Sequence, residues 1–362
     1  MKVLLIPLTI LIGILIIAGI ILSNSSPITI PSLNSGNSNN NRSSDGAVLK
    51  STDGGRSFEA KSRVNEGSNI NLSKNIVKLQ NGSNNTIFAL TRTGGLFKTD
   101  NWGENWNPIL DSSITSTILG VSPKNVNEAY VGAISEKRAR IYRTTDGGKD
   151  NKWQEIYTEP KSGTEFVSIQ VNPSNDSIVY ALLSNGVLLK SFNKGSDWVL
   201  ARDLKSTVID MALDPQNPEI VIISGVTRLY ISQDGGFNFE ESTPKLRPQA
   251  VTGSQITSFA INPNNGQEIY IGGSGEIIRS RDRGKTWENL RILTPNSSLA
   301  VRNISIAPAD SNVIYYTIGS VLYTSSSRGE SWNTSDLSST VKNITTLLID
   351  REKSDILYIG TN

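Results

Sequence analysis

The chain contains no cysteine and no histidine. Without cysteine there is no disulfide, no thiolate chemistry and no lipid attachment at a lipobox cysteine. Without histidine, a Ser-His-Asp triad, a histidine base and a histidine-ligated metal site are excluded. Charge is also scarce: 19% of the 362 residues are Asp, Glu, Lys or Arg, and the net charge is +2. Such a balance gives no bulk attraction to nucleic acid or acidic surfaces, and no nucleic-acid partner is expected. Neither a metal nor a cofactor is expected.

Long apolar runs are missing after the first 22 residues. Val3 to Leu22 is 20 residues without a charge. As a helix it would span roughly 30 Å, the thickness of a bilayer core. A cleaved secretory signal has a shorter apolar core, about 7–15 residues, and a small-x-small site. No convincing Ala-x-Ala precedes the polar stretch, so residues 1–22 read as an uncleaved anchor, with a cleaved signal as the competing reading. Lys2 is the only charge on the N side, which places the N-terminus in the cytoplasm and the remainder on the extracytoplasmic side. Residues 23–45 are rich in Asn and Ser and read as a flexible tether. Residues 46–362 carry the fold.

What fills that region is a repeat. Ser280-Arg281-Asp282-Arg283-Gly284-Lys285-Thr286-Trp287 is the clearest copy, and seven copies begin at Ser51, Thr99, Thr144, Ser191, Ser232, Ser280 and Ser325. Successive starts lie 41 to 48 residues apart, the period of four-stranded propeller blades. The third place holds a short acceptor suited to clasping a turn: Asp53, Asn101, Asp146, Asn193, Asp234, Asp282 and Ser327. Glycine holds the fifth place in every copy, where a left-handed conformation is cheap only without Cβ. An aromatic closes each copy, large enough to fill the wedge between sheets: Phe58, Trp106, Trp153, Trp198, Phe239, Trp287 and Trp332. The third copy has two extra residues, placed at Asp150 and Asn151.

A second marker alternates with the first: an apolar strand, a Pro/Asn/Asp turn such as Asn172-Pro173-Ser174-Asn175, and another apolar strand. Each unit then reads strand A, turn, strand B, loop, strand C, box, strand D. The C-terminus supplies strands A and B without a box, and the N-terminus supplies C and D without A or B. The two halves make one blade, giving an all-β, seven-bladed ring sealed by a split blade. The alternative, six blades with loose ends, would expose two apolar half-blades.

The repeat resembles the Asp-box, or BNR, repeat of β-propeller proteins, over Gly46 to Asn362. That box recurs in sialidases, xyloglucanase-type hydrolases, sortilin-type receptors and photosystem II assembly-factor-like proteins. The sialidase Arg-Ile-Pro signature is absent. Xyloglucanase-type enzymes pair two propellers, and one is present here. A glycosidase needs two carboxylates roughly 5–10 Å apart. The acids on predicted loops (Glu136, Glu159, Glu165, Glu240 and Glu241) show no spacing that singles out two. The box acids belong to different blades and read as turn clasps. No enzyme activity is therefore expected.

Binding remains. Loops joining B to C and D to A share the face opposite the boxes, and several are basic: Arg92; Lys137, Arg138 and Arg140; Arg228; Lys245 and Arg247; Arg291; Arg302. Resemblance to the photosystem II assembly-factor-like proteins, which are scaffolding factors with an arginine-rich face, implies a protein partner on that face. The competing reading is a carbohydrate-binding or glycoside-hydrolase-like surface protein with a glycan ligand. Such a site needs exposed aromatics beside paired acids, and the one tryptophan outside the closing places, Trp102, falls inside a box.

Overall fold

The computed structural model describes residues 47–362 apart from 66–71, 73–74, 84, 94, 111–113, 245–254 and 293–298. The expected anchor and tether, together with Lys245 and Arg247, lie outside the described residues. Among the described residues no helix is long and apolar enough to cross a membrane.

Seven four-stranded antiparallel sheets make a β-propeller. We number the blades by their boxes, so blade 1 carries the Ser51 box and blade 7 the Ser325 box. Blade 4 shows the pattern: Phe166–Val171, Val179–Leu183, Val187–Ser191 and Val199–Asp203 as strands A to D. Burial falls across it. Every residue of strand B is buried, whereas strand D alternates only between exposed and partly exposed. That gradient accounts for the sequence pattern, because a middle strand packed on both faces must be apolar throughout, whereas the outermost strand can carry charge.

Blade 1 differs in chain order. Its strands C and D, Val48–Ser51 and Glu59–Ala60, come from the start of the described chain. Its strands A and B, Ile344–Ile349 and Leu357–Thr361, come from the end. Val48 to Ser51 pair with Gly360 to Leu357 in antiparallel register.

The core is divided among the seams. Seven apolar clusters are each shared by two neighbouring blades, including one between blades 7 and 1 that contains Leu49, Tyr315, Leu322 and Leu357. Each cluster holds one closing aromatic, packed against the preceding blade. Trp106 is fully buried, and its indole N–H donates to the Lys61 carbonyl of blade 1 at 2.7 Å. Trp153 does the same to Ile109 at 2.8 Å. The indole nitrogens of Trp198 and Trp332 are buried without a partner.

Candidate functional site

The boxes are built around a residue whose role the sequence pattern alone did not disclose. The first-place hydroxyl is 0–2% exposed in all seven copies. It accepts the N–H of the fifth-place glycine at 2.7–3.1 Å in every box. In six boxes it also donates to the third-place Asp or Asn at 2.8–3.0 Å. That side chain in turn accepts an N–H four residues on: Ser57, Asn105, Asp197, Asn238 and Thr286 at 2.8–3.1 Å. Ser327 substitutes its own hydroxyl and takes the Ser331 N–H at 3.0 Å. Asp146 instead takes the Gly148 N–H at 3.1 Å, because a 3₁₀ turn over Lys149–Asn151 follows it. The extra residues Asp150 and Asn151 are accommodated there.

These bonds hold the acids ionised. Asp53, Asp234 and Asp282 are each lowered to about 2. The largest cause is the Ser57 hydroxyl for Asp53, the Asn238 N–H for Asp234 and the Thr286 hydroxyl for Asp282. The fifth-place glycines have φ of 74° to 94°, and the fourth place is left-handed as well. Trp102, Lys194, Arg283 and Arg328 occupy that fourth place with φ of 54° to 63°, which costs roughly 1–2 kcal/mol at each L residue.

Of the basic residues, those among the described residues lie on the B–C or D–A side of their blades, but on different blades and in different states. Lys137 forms a two-residue hairpin turn with Glu136, both at positive φ. Arg138 and Arg140, expected on a loop, open the strand Arg138–Thr144. The tight turn was hidden because it uses neither Gly nor Asn. Arg140 is engaged, ion-paired with Glu136 and, at 2.7 Å, with Glu155; the Glu155 bond raises its pKa. Arg228 pairs with Glu241 at 2.7 Å. Arg302 is the first residue of an inner strand, Arg302–Ile306, rather than of a loop. Arg92, Lys137, Arg138 and Arg291 are exposed.

The loop acids are likewise redistributed. Glu240 and Glu241 belong to the outer strand Glu240–Ser242, not to a loop. Their charge misled because an outermost strand tolerates it. Glu159 accepts the Tyr157 hydroxyl at 2.9 Å. Trp102 stands in the Thr99 box and also lines a cleft of about 340 Å³ with Asp350 and Glu352.

One more pattern escaped the sequence reading. The residue just before each box hydroxyl is Lys50, Lys98, Arg143, Lys190, Ile231, Arg279 or Thr324. Its cross-strand partner in strand B is Tyr358, Phe88, Tyr130, Tyr180, Ile222, Tyr270 or Tyr315. Four of the cations lie over their partner tyrosine, at 4.9–6.0 Å from the ring centroid. Two of them also donate to the next blade. Lys190 Nζ donates to Gly235 O at 2.8 Å, and an Arg279 guanidinium N–H to Arg328 O at 2.9 Å; both acceptors are fourth-place carbonyls. The two seams without a cation, at Ile231 and Thr324, hold clefts of about 640 and 520 Å³. The signal was legible: a Lys or Arg directly ahead of five of the seven boxes.

Seven sheets with clasped C–D turns define a seven-bladed Asp-box propeller. More narrowly, residues 43–298 match the family described as photosynthesis system II assembly factor YCF48, and the chain belongs to that family. It is also similar to the xyloglucanase Xgh74A of Acetivibrio thermocellus, at 22% identity over 77% of this chain and 36% of that protein. The chain thus spans about a third of that curated relative. Among solved structures, the GH74 enzyme of Niastella koreensis superposes with a TM-score of 0.64 at 17% identity, covering 83% of this chain and 53% of that one. YCF48 from Cyanidioschyzon merolae gives 0.62 at 15%, covering 80% and 97%. A YCF48 bound to a D1 peptide gives 0.61 at 16%, covering 84% and 98%. At these identities the structures share the fold.

Proposed function

We propose that this protein is a membrane-anchored, extracytoplasmic propeller that holds a protein partner during assembly. The carrying observation is membership of the YCF48 family, in which a relative of the same fold binds a peptide. The uncharged run from Val3 to Leu22 supports the anchor. The sheet built from both chain ends supports sealing of the ring through blade 1. The partner meets the face opposite the boxes, at Arg92 and at the blade 3 hairpin. Lys137 and Arg138 are exposed there, while Arg140 is already committed to two carboxylates. Irregular connections on a rigid scaffold are where recognition usually resides, and arginine binds carboxylates in a bidentate way.

The test is capture from envelope membranes by the full-length protein. Replacing Arg92, Lys137 and Arg138 by Ala should weaken capture, more strongly at low salt, without moving the melting temperature. Unchanged capture would remove this face from consideration.

The same reading makes the protein non-catalytic: of the acids considered, Glu136 and Glu241 are in ion pairs. A second reading, glycan binding, is favoured by one observation, the cleft that sets Trp102 beside Asp350 and Glu352. Xyloglucan oligosaccharides that bind wild type but not Trp102→Ala would support it, and reducing ends released from the polysaccharide would overturn the non-catalytic assignment.

A further inference from the structure

Two phenylalanines meet at the seam between blades 4 and 5. Phe192 is second in the blade 4 box and Phe237 is sixth in the blade 5 box. Their ring centroids lie 5.1 and 5.0 Å from the same atom, Lys190 Nζ. Elsewhere in the seven boxes those two places hold only polar or charged residues, Ser196 and Gln233 of the same two boxes among them. Val199, the cross-strand partner of Lys190, adds a third apolar side chain. All three stay open to water, Phe192 by 53%, Val199 by 45% and Phe237 by 40%. Among the described residues no other seam gathers three exposed large apolar side chains. Covering the cation does not require the rings, since Lys98 and Arg143 hold the place of Lys190 with Asp100 and Thr145 where Phe192 stands.

The free charges around this patch have one sign. Asp197, Glu219, Asp234 and Glu240 are exposed. Residues 214–219 and 232–242 contain no Lys or Arg. Lys190 is itself buried and donates to the Gly235 carbonyl. Lys194, the one other cation in residues 190–200, is ion-paired with Glu128 and Asp176. An acidic surround disfavours a second copy, which would bring the same carboxylates, and an anionic lipid surface. Residues 23–41 of this chain carry no charge to offer it.

We propose that this seam docks a segment of a partner protein in which an apolar side chain is flanked by Lys or Arg. The apolar side chain packs against Phe192 and Phe237, the anchor-in-a-seat arrangement that carries most of the energy at interfaces. The flanking cations meet the surrounding carboxylates. The proposal rests on the protein-binding reading but not on the loop face, since the patch lies at the box end of the blades.

The experiment uses the full-length protein in phosphatidylcholine nanodiscs. The chain has no cysteine, so Ser196→Cys gives a single thiol in the blade 4 box for an environment-sensitive dye. Three blocked peptides are titrated: Lys-Gly-Leu-Phe-Gly-Lys, Glu-Gly-Leu-Phe-Gly-Glu and Lys-Gly-Ser-Ser-Gly-Lys. The first should bind at least about tenfold more tightly than either of the others, with affinity falling as salt rises. Phe192→Ser with Phe237→Ser should weaken it by about tenfold or more without loss of cooperative unfolding, because other boxes carry serine at those places, Ser326 and Ser196. If that variant does not fold, Asp197→Asn with Glu240→Gln should weaken the Lys-flanked apolar peptide severalfold and flatten its salt dependence. Equal binding of either control peptide, or undiminished binding by either double variant, overturns the proposal. So does a dye shift that follows protein concentration or added phosphatidylserine with no peptide present, which would assign the patch to a second copy or to lipid. If a natural partner is captured equally by wild type and the phenylalanine variant, protein binding stands and this seam is not its site.

Discussion

The box face and the loop face of this propeller are made by opposite rules. On the box face the same hydroxyl, glycine and acceptor recur seven times, at distances that vary by a few tenths of an ångström. On the loop face no such set recurs among the described residues: blade 3 has a two-residue turn, blade 5 an Arg228–Glu241 pair, and blade 7 an arginine opening its inner strand. Local repetition fixes the fold, because each clasp is satisfied within its own eight residues. Departure from repetition is where the surface can become specific. The rule applies within the box face too, where Thr324 breaks the cation series and a cleft appears.

The largest expected effect falls on blade 1, whose sheet joins strands from both ends of the described chain. Blade 1 takes its two inner strands from the C-terminus. Deleting residues 344–362 should leave Val48–Ser51 without its partner strand and bare the apolar faces of blades 2 and 7. Loss of cooperative unfolding, followed by circular dichroism, is expected. A truncated chain that melts like the full one would refute sealing through blade 1.

Next in size are the seam aromatics. Trp106→Ala removes a fully buried indole and its bond to Lys61 O, and should cost about 3–5 kcal/mol by chemical denaturation. Trp198→Ala should cost less, since its indole nitrogen has no partner to lose. By contrast, Arg138→Ala on the loop face should stay within about 0.5 kcal/mol of wild type. Equal losses at Trp106 and Arg138 would erase the distinction between the faces.

How much of this could be read beforehand follows from the same contrast. The seven boxes, their glycines and closing aromatics were legible because each rests on short-range backbone requirements that leave a fixed spacing. The buried box hydroxyl was in plain view, but its role as the hub of the turn is a matter of burial, which a motif does not display. The loop face was harder. Arg140 and Arg228 read as free charges until the fold set Glu155 and Glu241 across neighbouring strands, more than ten residues away in sequence. The cations ahead of five boxes needed the cross-strand register to show that four of them meet a tyrosine, and the seam to show which carbonyls Lys190 and Arg279 reach.

The smallest expected effect is electrostatic and confined to the box face. Asp53, Asp234 and Asp282 sit at about 2 in the fold, against an ordinary value of 3.8. A carboxylate with a depressed folded pKa contributes stability that is complete above its unfolded pKa. The contribution is lost as pH falls through the window between the two values, because the unfolded chain binds the proton first. Melting temperature should therefore decline between about pH 4 and pH 2 in part through these three clasps. The chain itself supplies the control. Asn101 and Asn193 make the same clasp without a charge, accepting the N–H four residues on at 3.1 and 2.8 Å. Replacing Asp53, Asp234 and Asp282 together by Asn should leave the melting temperature near neutrality little changed and make the acid decline shallower. Asp234 is exposed and Asp53 and Asp282 are partly exposed, so solvent screening keeps the difference small, and the informative quantity is the slope against pH rather than its height. A triple variant whose acid profile overlays that of wild type would mean that geometry alone, not charge, closes these turns. Asp and Asn would then be interchangeable at every box.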